Sequence, residues 1–306
     1  MRVLERGGAM NETPPRKAAS RAAEGLRSVS DEVLAEARRQ IDEAAENGAT
    51  AVHEFRKAMK RWRAILRLYE PLLGEEAVRL RIEARDLARE LAGPRDVRST
   101  LDALADLGGD ALSARTRATI TSRLEGIGSS AEAAALTDAL RGRLREALDH
   151  ASAVCRRWPL DEVGFTAIAE GLAAGYARAR NALPDDWAAA SDDALHVLRQ
   201  RVVVHRYQME LAIPLWPKIG RAWVAEAQKL RDRLGHHHDL AVLRAFTGPH
   251  LPLAPWRSRL APLIAARQAE HAASAARVAG RLFVEKPKAF RRRLTSLWHS
   301  RREHGV

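Results

Sequence analysis

The chain has 306 residues, and its 51 lysines and arginines outnumber its 39 aspartates and glutamates to give a formal net charge of +12. This balance favours an acidic partner, such as nucleic acid, an anionic membrane surface or another polyanion. Cys155 is the only cysteine, which excludes an intramolecular disulfide and a cysteine-based zinc cluster and fits a reducing setting. No stretch approaches the roughly 18 uncharged apolar residues of a membrane span and the N-terminus lacks a signal-peptide pattern, so we expect a soluble, cytoplasmic protein.

Ala, Leu, Arg and Glu dominate the sequence, and runs of β-branched residues are scarce. Beyond residues 1–24, which we interpret as a flexible tail, apolar residues recur with helical spacing between Gly and Pro breaks. The expected helices cover about 31–46, 51–70, 75–92, 95–106, 111–125, 133–157, 164–182, 194–212, 218–234, 238–246, 256–284 and 287–299. The expected breaks fall at Gly48, Pro71, Gly93-Pro94, Gly108-Gly109, Pro159, Pro184, Pro214, Pro217 and Pro249. The predicted fold class is all-α.

The predicted helix at 51–70 places most of its cations along one side. At about 100° per residue, five of them share an arc of roughly 80° and a sixth lies on its edge. We call this set the cationic stripe, and it consists of His53, Arg56, Lys57, Lys60, Arg63 and Arg67. The opposite side is the predicted core face, formed by Phe55, Met59, Trp62, Leu66 and Tyr69. Like charges at i,i+4 repel, so the stripe is either a solvated face that tolerates this cost or an anion-binding surface.

A later segment repeats the pattern at a constant offset of 143 residues, without a gap. The matched polar pairs are His53 with His196, Arg56 with Arg199, Arg63 with Arg206, and Asp96 with Asp239. We infer an internal duplication, and the repetition of these particular residues favours the anion-binding interpretation. The second stripe is weaker, because Gln200, Val203 and Val204 stand where the first half has cations and Glu210 stands where it has Arg67. Asymmetric binding, dominated by the first half, is therefore expected.

The two matched histidines are predicted to lie near helix N-termini. Thr50 and Asp193, also 143 residues apart, are suitable N-caps and would put His53 and His196 at the third helical position. Free backbone N–H groups and the positive end of the helix dipole favour anions there. We hypothesise that both imidazoles donate to phosphate-like oxygens; the alternative is that each histidine caps or packs.

These motifs resemble those of the CHAD family, the conserved histidine α-helical domain. The resemblance rests on VHEFRKAMKRWRAILRLY and LAGPRDV, on LHVLRQRVVVHRYQMELAIPLWP and LGHHHDLAVL, and on LFVEKPKAFRRRL. It covers about residues 25–299. It implies two four-helix-bundle-like halves, at about 25–158 and 159–299, related by a pseudo-twofold and enclosing a basic groove or channel. Residues 300–306 would form a C-terminal tail.

The resemblance also implies that the chain binds inorganic polyphosphate without a cofactor, and that the surface of polyphosphate or polyhydroxyalkanoate granules is a further partner. Motif positions put the binding residues at His53, Arg56, Lys60, Arg63, His196, Arg199 and Arg206. The stripe adds Lys57 and Arg67, and the C-terminal segment adds Lys286 and Lys288. Arginine and lysine would hold polyphosphate by charge-assisted contacts, and a narrow channel would reject a DNA duplex.

Three further signals remain. The histidines of LGHHHDL point in different directions on a helix and lack a standard zinc spacing, so no metal site is predicted. The arginines around Arg85, Arg89 and Arg95 are interpreted as a solvated face. The C-terminal segment after Arg281 is basic and amphipathic; it either docks on the domain, which we favour, or touches a granule or membrane surface.

A phosphate-binding glycine loop, a paired-carboxylate site and a Ser–His or Cys–His arrangement do not stand out, so a non-enzymatic protein is predicted. Two alternatives to polyphosphate binding stay open. One is a nonspecific nucleic-acid-binding protein, although the sequence contains no recognisable nucleic-acid module. The other is a granule-surface structural protein that uses amphipathic helices and needs no polyphosphate.

Overall fold

A computed structural model describes residues 15–43, 48–91, 95–108, 112–129 and 137–303. Within these ranges it contains eleven α-helices and no strand, which confirms the all-α prediction. The helices are Pro15–Asp42 (α1), Gly48–Leu73 (α2), Glu75–Glu90 (α3), Arg95–Asp106 (α4), Ala114–Ser129 (α5), Asp138–Arg157 (α6), Phe165–Arg180 (α7), Asp192–Glu210 (α8), Pro217–Ala245 (α9), Arg257–Leu282 (α10) and Pro287–Glu303 (α11). Among the described helices, none combines the length and apolarity that crossing a bilayer requires.

Several helix ends differ from the sequence-based expectation. The predicted break after residue 234 is wrong, because α9 continues through Gly235 to Ala245. The packing of α9 against α8 and α10 offsets the low helix propensity of this glycine. Pro71 does not end α2 but lies in its last turn; the break follows at Gly74, whose φ of 63° favours glycine.

The first and last helices extend into the segments that were predicted to be tails. α1 begins at Pro15, within the stretch interpreted as a tail of residues 1–24, and α11 runs to Glu303, past the expected domain end at 299. Residues 1–14, 304–306 and the predicted break at Gly93-Pro94 lie outside the described residues.

The main hydrophobic core is built around α2, which packs against α1, α3, α7 and α8. Its predicted core face is confirmed, since all five side chains are at most 2 % exposed: Phe55, Met59, Trp62, Leu66 and Tyr69. Tyr69 also bonds the buried Ser30 of α1, with 2.9 Å between the two hydroxyl oxygens. The same core includes buried residues of α7, α8, α10 and α11, and so crosses the boundary expected near residue 158.

A second core lies apart from the first. It combines Leu104 of α4 and Ile120 of α5 with Leu243 of α9 and Ile264 of α10, all fully buried or nearly so. Arg267 and His271 of α10 bond Asp106 of α4 across the same junction, with His271 Nε2 2.7 Å from Asp106 Oδ2. Helices from both predicted halves therefore share this core as well.

The helix contacts can be compared between the two predicted halves. α1 packs against α2 and α6, while α7 packs against α8 and α11; α3 follows α2 as α9 follows α8. α2 and α8 touch directly, where Gln208 Nε2 donates to Ala64 O at 3.0 Å and Arg61 pairs with Glu210 at 3.2 Å. These contacts run in opposite directions along the two helices, so α2 and α8 are antiparallel.

We predict that Gly175→Ala weakens this central contact. A Cβ at Gly175 of α7 would lie 1.9 Å from Gln208 Oε1, and the fully buried Gln208 cannot move away without losing its bond to Ala64. The free energy of unfolding should fall by about 1–3 kcal/mol, measured by urea unfolding. Gly142→Ala in α6 is the matched control: nothing lies within 4 Å of its Cβ position, so it should be neutral or stabilising by up to about 1 kcal/mol. Equal losses in the two variants would contradict the prediction.

Candidate anion-binding site

The cationic stripe of α2 faces α3 and is only partly solvated. Arg56 donates from Nη1 to Leu91 O at the end of α3, at 3.1 Å. Lys60, Arg63 and Arg67 are half-buried, like Arg56. The remaining members, His53 and Lys57, are exposed, and Lys57 pairs with Glu54 of its own helix at 3.0 Å.

Arg63 and Arg67 lie in a strongly positive environment. Burial is the largest cause that lowers the pKa of Arg63, followed by the charges of Arg67, Arg81 and neighbouring guanidinium groups. Burial also lowers the pKa of Arg67, helped by the charge of Arg81. The Nε of Arg63 is buried and has no hydrogen-bond partner among the described residues. An anion placed beside these guanidinium groups would relieve the repulsion between them.

Sequence reasoning missed the contribution of α3. Arg81, Arg85 and Arg89 follow one another at i,i+4 on this helix, and all three lower the pKa of Arg63. The i,i+4 spacing was a signal in the sequence, but which face of α3 turns toward the stripe depends on the packing of α2 against α3.

Arg206 of α8 is already neutralised by a carboxylate. Its Nη1 donates to Glu210 Oε1 at 2.9 Å, and its guanidinium lies 4.0 Å from the centre of the Tyr207 ring. Arg61 of α2 pairs with the same Glu210. Arg206 is therefore the weakest anion-binding candidate of the three matched residues in α8.

His196 and Arg199 form a second, smaller cluster with α9. The His196 ring lies on that of His238, with 4.2 Å between ring centroids, and His196 Nε2 is 2.8 Å from Gln200 Nε2. Burial, and then the Arg199 charge, lowers the pKa of His196. Burial with the charges of His196 and Arg199 lowers the pKa of His238 to about 4. Both rings are thus held neutral in the absence of an anion.

The predicted position of the histidines at helix N-termini is wrong. Ser191, not Asp193, caps α8 by accepting from Ala194 N at 3.2 Å, and α2 begins at Gly48. Both helices start earlier than expected, so His53 and His196 lie beyond the first turn, where the backbone N–H groups are used within the helix. In α8 the first turn contains Asp192 and Asp193, which occupy the positive end of the helix dipole themselves.

The three adjacent histidines of α9 point at three different partners. His236 stacks on His271 with 5.2 Å between centroids, His237 lies 3.9 Å from Asp192, and His238 lies on His196. Among the described residues, no group of three or more His, Cys, Asp or Glu side chains could hold a metal ion.

The structure does not bring all the predicted site residues together. α2 and α8 cross near Ala64 and Gln208, and because the helices are antiparallel, His53 and His196 lie on opposite sides of the crossing, each about 16–18 Å along its helix. Lys286 and Lys288 are exposed at the start of α11.

The C-terminal segment docks on α7, as favoured from its sequence. Phe290 of α11 is fully buried and stacks on Tyr176 of α7, with 4.3 Å between ring centroids. Arg293 of α11 lies over the Trp223 ring at 4.6 Å. These contacts turn the apolar side of α11 toward the main core.

Comparison with known proteins identifies one family. The model of the CHAD domain matches residues 28–248, which is well over half of the chain and includes the cationic stripe, α8 and the three histidines of α9. The match ends before Lys286 and Lys288. A search of curated proteins finds no match to the chain.

We predict that the free energy of unfolding falls as the pH is lowered, because of the buried histidines. The structure lowers the pKa of five of them, in each case chiefly by burial: His196, His205, His237, His238 and His271. The unfolded chain, with histidine pKa values near 6.5, binds protons that the folded chain does not. The free energy of unfolding should therefore fall as the pH drops from about 6.5 toward about 4.

The measurement is urea unfolding at several pH values across this window. Burial raises the pKa of Glu210, which by itself would increase the free energy of unfolding as the pH drops. Glu210 is one such group against five histidines. His238→Gln should reduce the fall, since its ring no longer titrates. A free energy of unfolding that does not change across the window would contradict the prediction.

Proposed function

The chain belongs to the CHAD domain family, and from this premise we propose that it binds inorganic polyphosphate through the cationic stripe of α2. The single observation that supports the proposal most strongly is the environment of Arg63. Its half-buried guanidinium is surrounded by like charges and leaves its buried Nε without a hydrogen-bond partner among the described residues. A chain of phosphates offers the dense negative charge and the acceptors that this arrangement needs.

We propose binding without catalysis. The side chains gathered along the stripe are guanidinium, ammonium and imidazole groups, which stabilise negative charge and orient phosphates. Hydrolysis would also need a group that delivers a water or another nucleophile to phosphorus. The proposal therefore assigns these cations the role of holding a polyanion.

The second cluster, with His196 and Arg199, is proposed to be secondary. Its rings are neutral when no anion is present, so its full charge is reached only if binding raises the imidazole pKa values. Arg206 is held by Glu210. A basic channel and association with polyphosphate or polyhydroxyalkanoate granules belong to the same proposal, with granules reached through the polyphosphate on their surface.

We predict that Arg63→Ala combined with Arg67→Ala weakens polyphosphate binding without harming the fold. Each lost charge-assisted contact should reduce the affinity about tenfold at fixed salt, measured by titration with long-chain polyphosphate. Stability should stay the same or rise by a few tenths of a kcal/mol, because the substitutions remove repulsion between neighbouring cations.

The matched control for this prediction is Arg79→Ala with Arg98→Ala. It removes the same charge from side chains that are 76 % and 85 % exposed and pair with acids of their own helices. Its affinity should change much less. If both double variants lost affinity equally, overall charge rather than the stripe would explain the binding.

A competition experiment separates the proposal from nonspecific nucleic-acid binding. We expect long-chain polyphosphate to displace duplex and single-stranded DNA from the protein at a fixed salt concentration in a gel-shift assay, because the stripe offers closely spaced guanidinium groups and no surface that recognises bases. DNA that competes as well as polyphosphate at equal phosphate concentration would favour the nucleic-acid alternative.

A further inference from the structure

Helix α3 carries a second row of cations that runs beside the cationic stripe. Arg81, Arg85 and Arg89 are spaced at i,i+4 along it, which places them on one side of the helix over about 12 Å. The contact between Arg56 and Leu91 O holds the C-terminal end of α3 against α2, and the ion pair between Arg81 and Glu70 holds its middle. We call these three arginines the α3 row.

Arg63 lies between the stripe and the α3 row. Arg81 pairs with Glu70 of α2, which turns the row toward α2, and the charges of all three arginines and of Arg67 act on the guanidinium of Arg63. The buried Nε of Arg63 has no hydrogen-bond partner within the described part of the chain. Because this Nε is enclosed by the protein, an anion would reach Arg63 through the outer part of its guanidinium group.

Asp86 is an acid that pairs with the outer arginines of the α3 row. It pairs with Arg85 at 2.9 Å and lies 3.8 Å from Arg89, and Arg63 also helps to keep its pKa below the usual range, after the larger effect of the bond to Arg85. Its carboxylate is about half exposed. In the free protein it therefore acts as an internal counter-anion for cations of both helices.

We propose that Arg85 and Arg89 of the α3 row form the second wall of the polyphosphate site, so that the phosphates lie between α2 and α3, and that the Asp86 carboxylate competes with them. This inference rests on the proposed function and deepens it: a ligand must be long enough to run along both rows, which selects linear polyphosphate over single phosphate groups. Asp86 sets the affinity, because a phosphate must displace it from the guanidinium groups of Arg85 and Arg89.

The α3 row has no counterpart in the second half. The positions 143 residues later are Val224, Gln228 and Asp232, one of them negatively charged. The second half contributes to the first site instead, because Arg178 of α7 and Arg201 of α8 act on Arg67 at the end of the stripe. The site is thus asymmetric, and it lies on the α2–α3 face rather than midway between α2 and α8.

The first test compares two double variants that remove the same charge. Arg85→Ala with Arg89→Ala should weaken binding of long-chain polyphosphate at least tenfold at fixed salt and reduce the slope of log affinity against log salt by about one to two. Arg79→Ala with Arg98→Ala removes exposed arginines, the first of them on another side of the same helix, and should leave both quantities nearly unchanged. Equal effects of the two double variants would overturn the inference.

The second test removes the competing acid. Asp86→Asn should tighten polyphosphate binding several-fold, whereas Glu75→Gln, which changes the charge of the same helix equally but pairs with the exposed Arg79, should not. Orthophosphate should fail to compete at the same phosphate concentration. An Asp86→Asn variant with unchanged or weaker affinity would overturn the role of the carboxylate. If the arginine double variant does not fold, the affinity of Asp86→Asn is the measurement that tests the inference.

The outcomes separate this inference from the proposed function. If the unmodified protein does not bind polyphosphate, the proposed function is wrong and this inference with it. If the unmodified protein binds, and Arg63→Ala with Arg67→Ala loses affinity while Arg85→Ala with Arg89→Ala keeps it, the function stands and the second wall is refuted. Thermal unfolding followed by circular dichroism verifies that each variant is folded.

Discussion

The structure depends on the way the buried face of α2 holds its cations in place. Trp62 and Tyr69 are almost completely buried, so the helix cannot rotate about its axis without exposing large aromatic surfaces. Arg63 and Arg67 must therefore stay on the side that faces α3, where like charges surround them. The apolar core stabilises an arrangement that electrostatics alone would disfavour, which is typical of binding sites that await a ligand of opposite charge.

The sequence predicted what depends on local periodicity. The all-α class and the five core residues of α2 follow from helical spacing, and both are confirmed. The continuous α9 could not be predicted, because the packing of α9 against α8 and α10 overrides the low helix propensity of Gly235. The N-cap prediction failed because two nearby residues could cap the helix: Ser191 caps α8, although Asp193 was equally plausible from sequence alone. The position of Arg85 and Arg89 beside the stripe depends on the packing of α3 against α2, which the sequence does not show.

The two halves agree in their order of contacts and differ in their chemistry. The first half combines a half-buried stripe with the arginines of α3, while the second pairs Arg206 with Glu210 and keeps His196 neutral. Similar helix packing is compatible with different surface charges, since the core depends on apolar volume and not on the solvent-facing side chains. The charges of Arg178 and Arg201 also act on Arg67 at the end of the stripe.

The second core also constrains how the protein is made. Leu104 and Ile120 leave the ribosome long before Leu243 and Ile264, which complete their burial. At 5–20 residues per second, α4 and α5 wait on the order of ten to thirty seconds with their leucines open to water. During synthesis this unfinished bundle therefore exposes apolar surface that can aggregate.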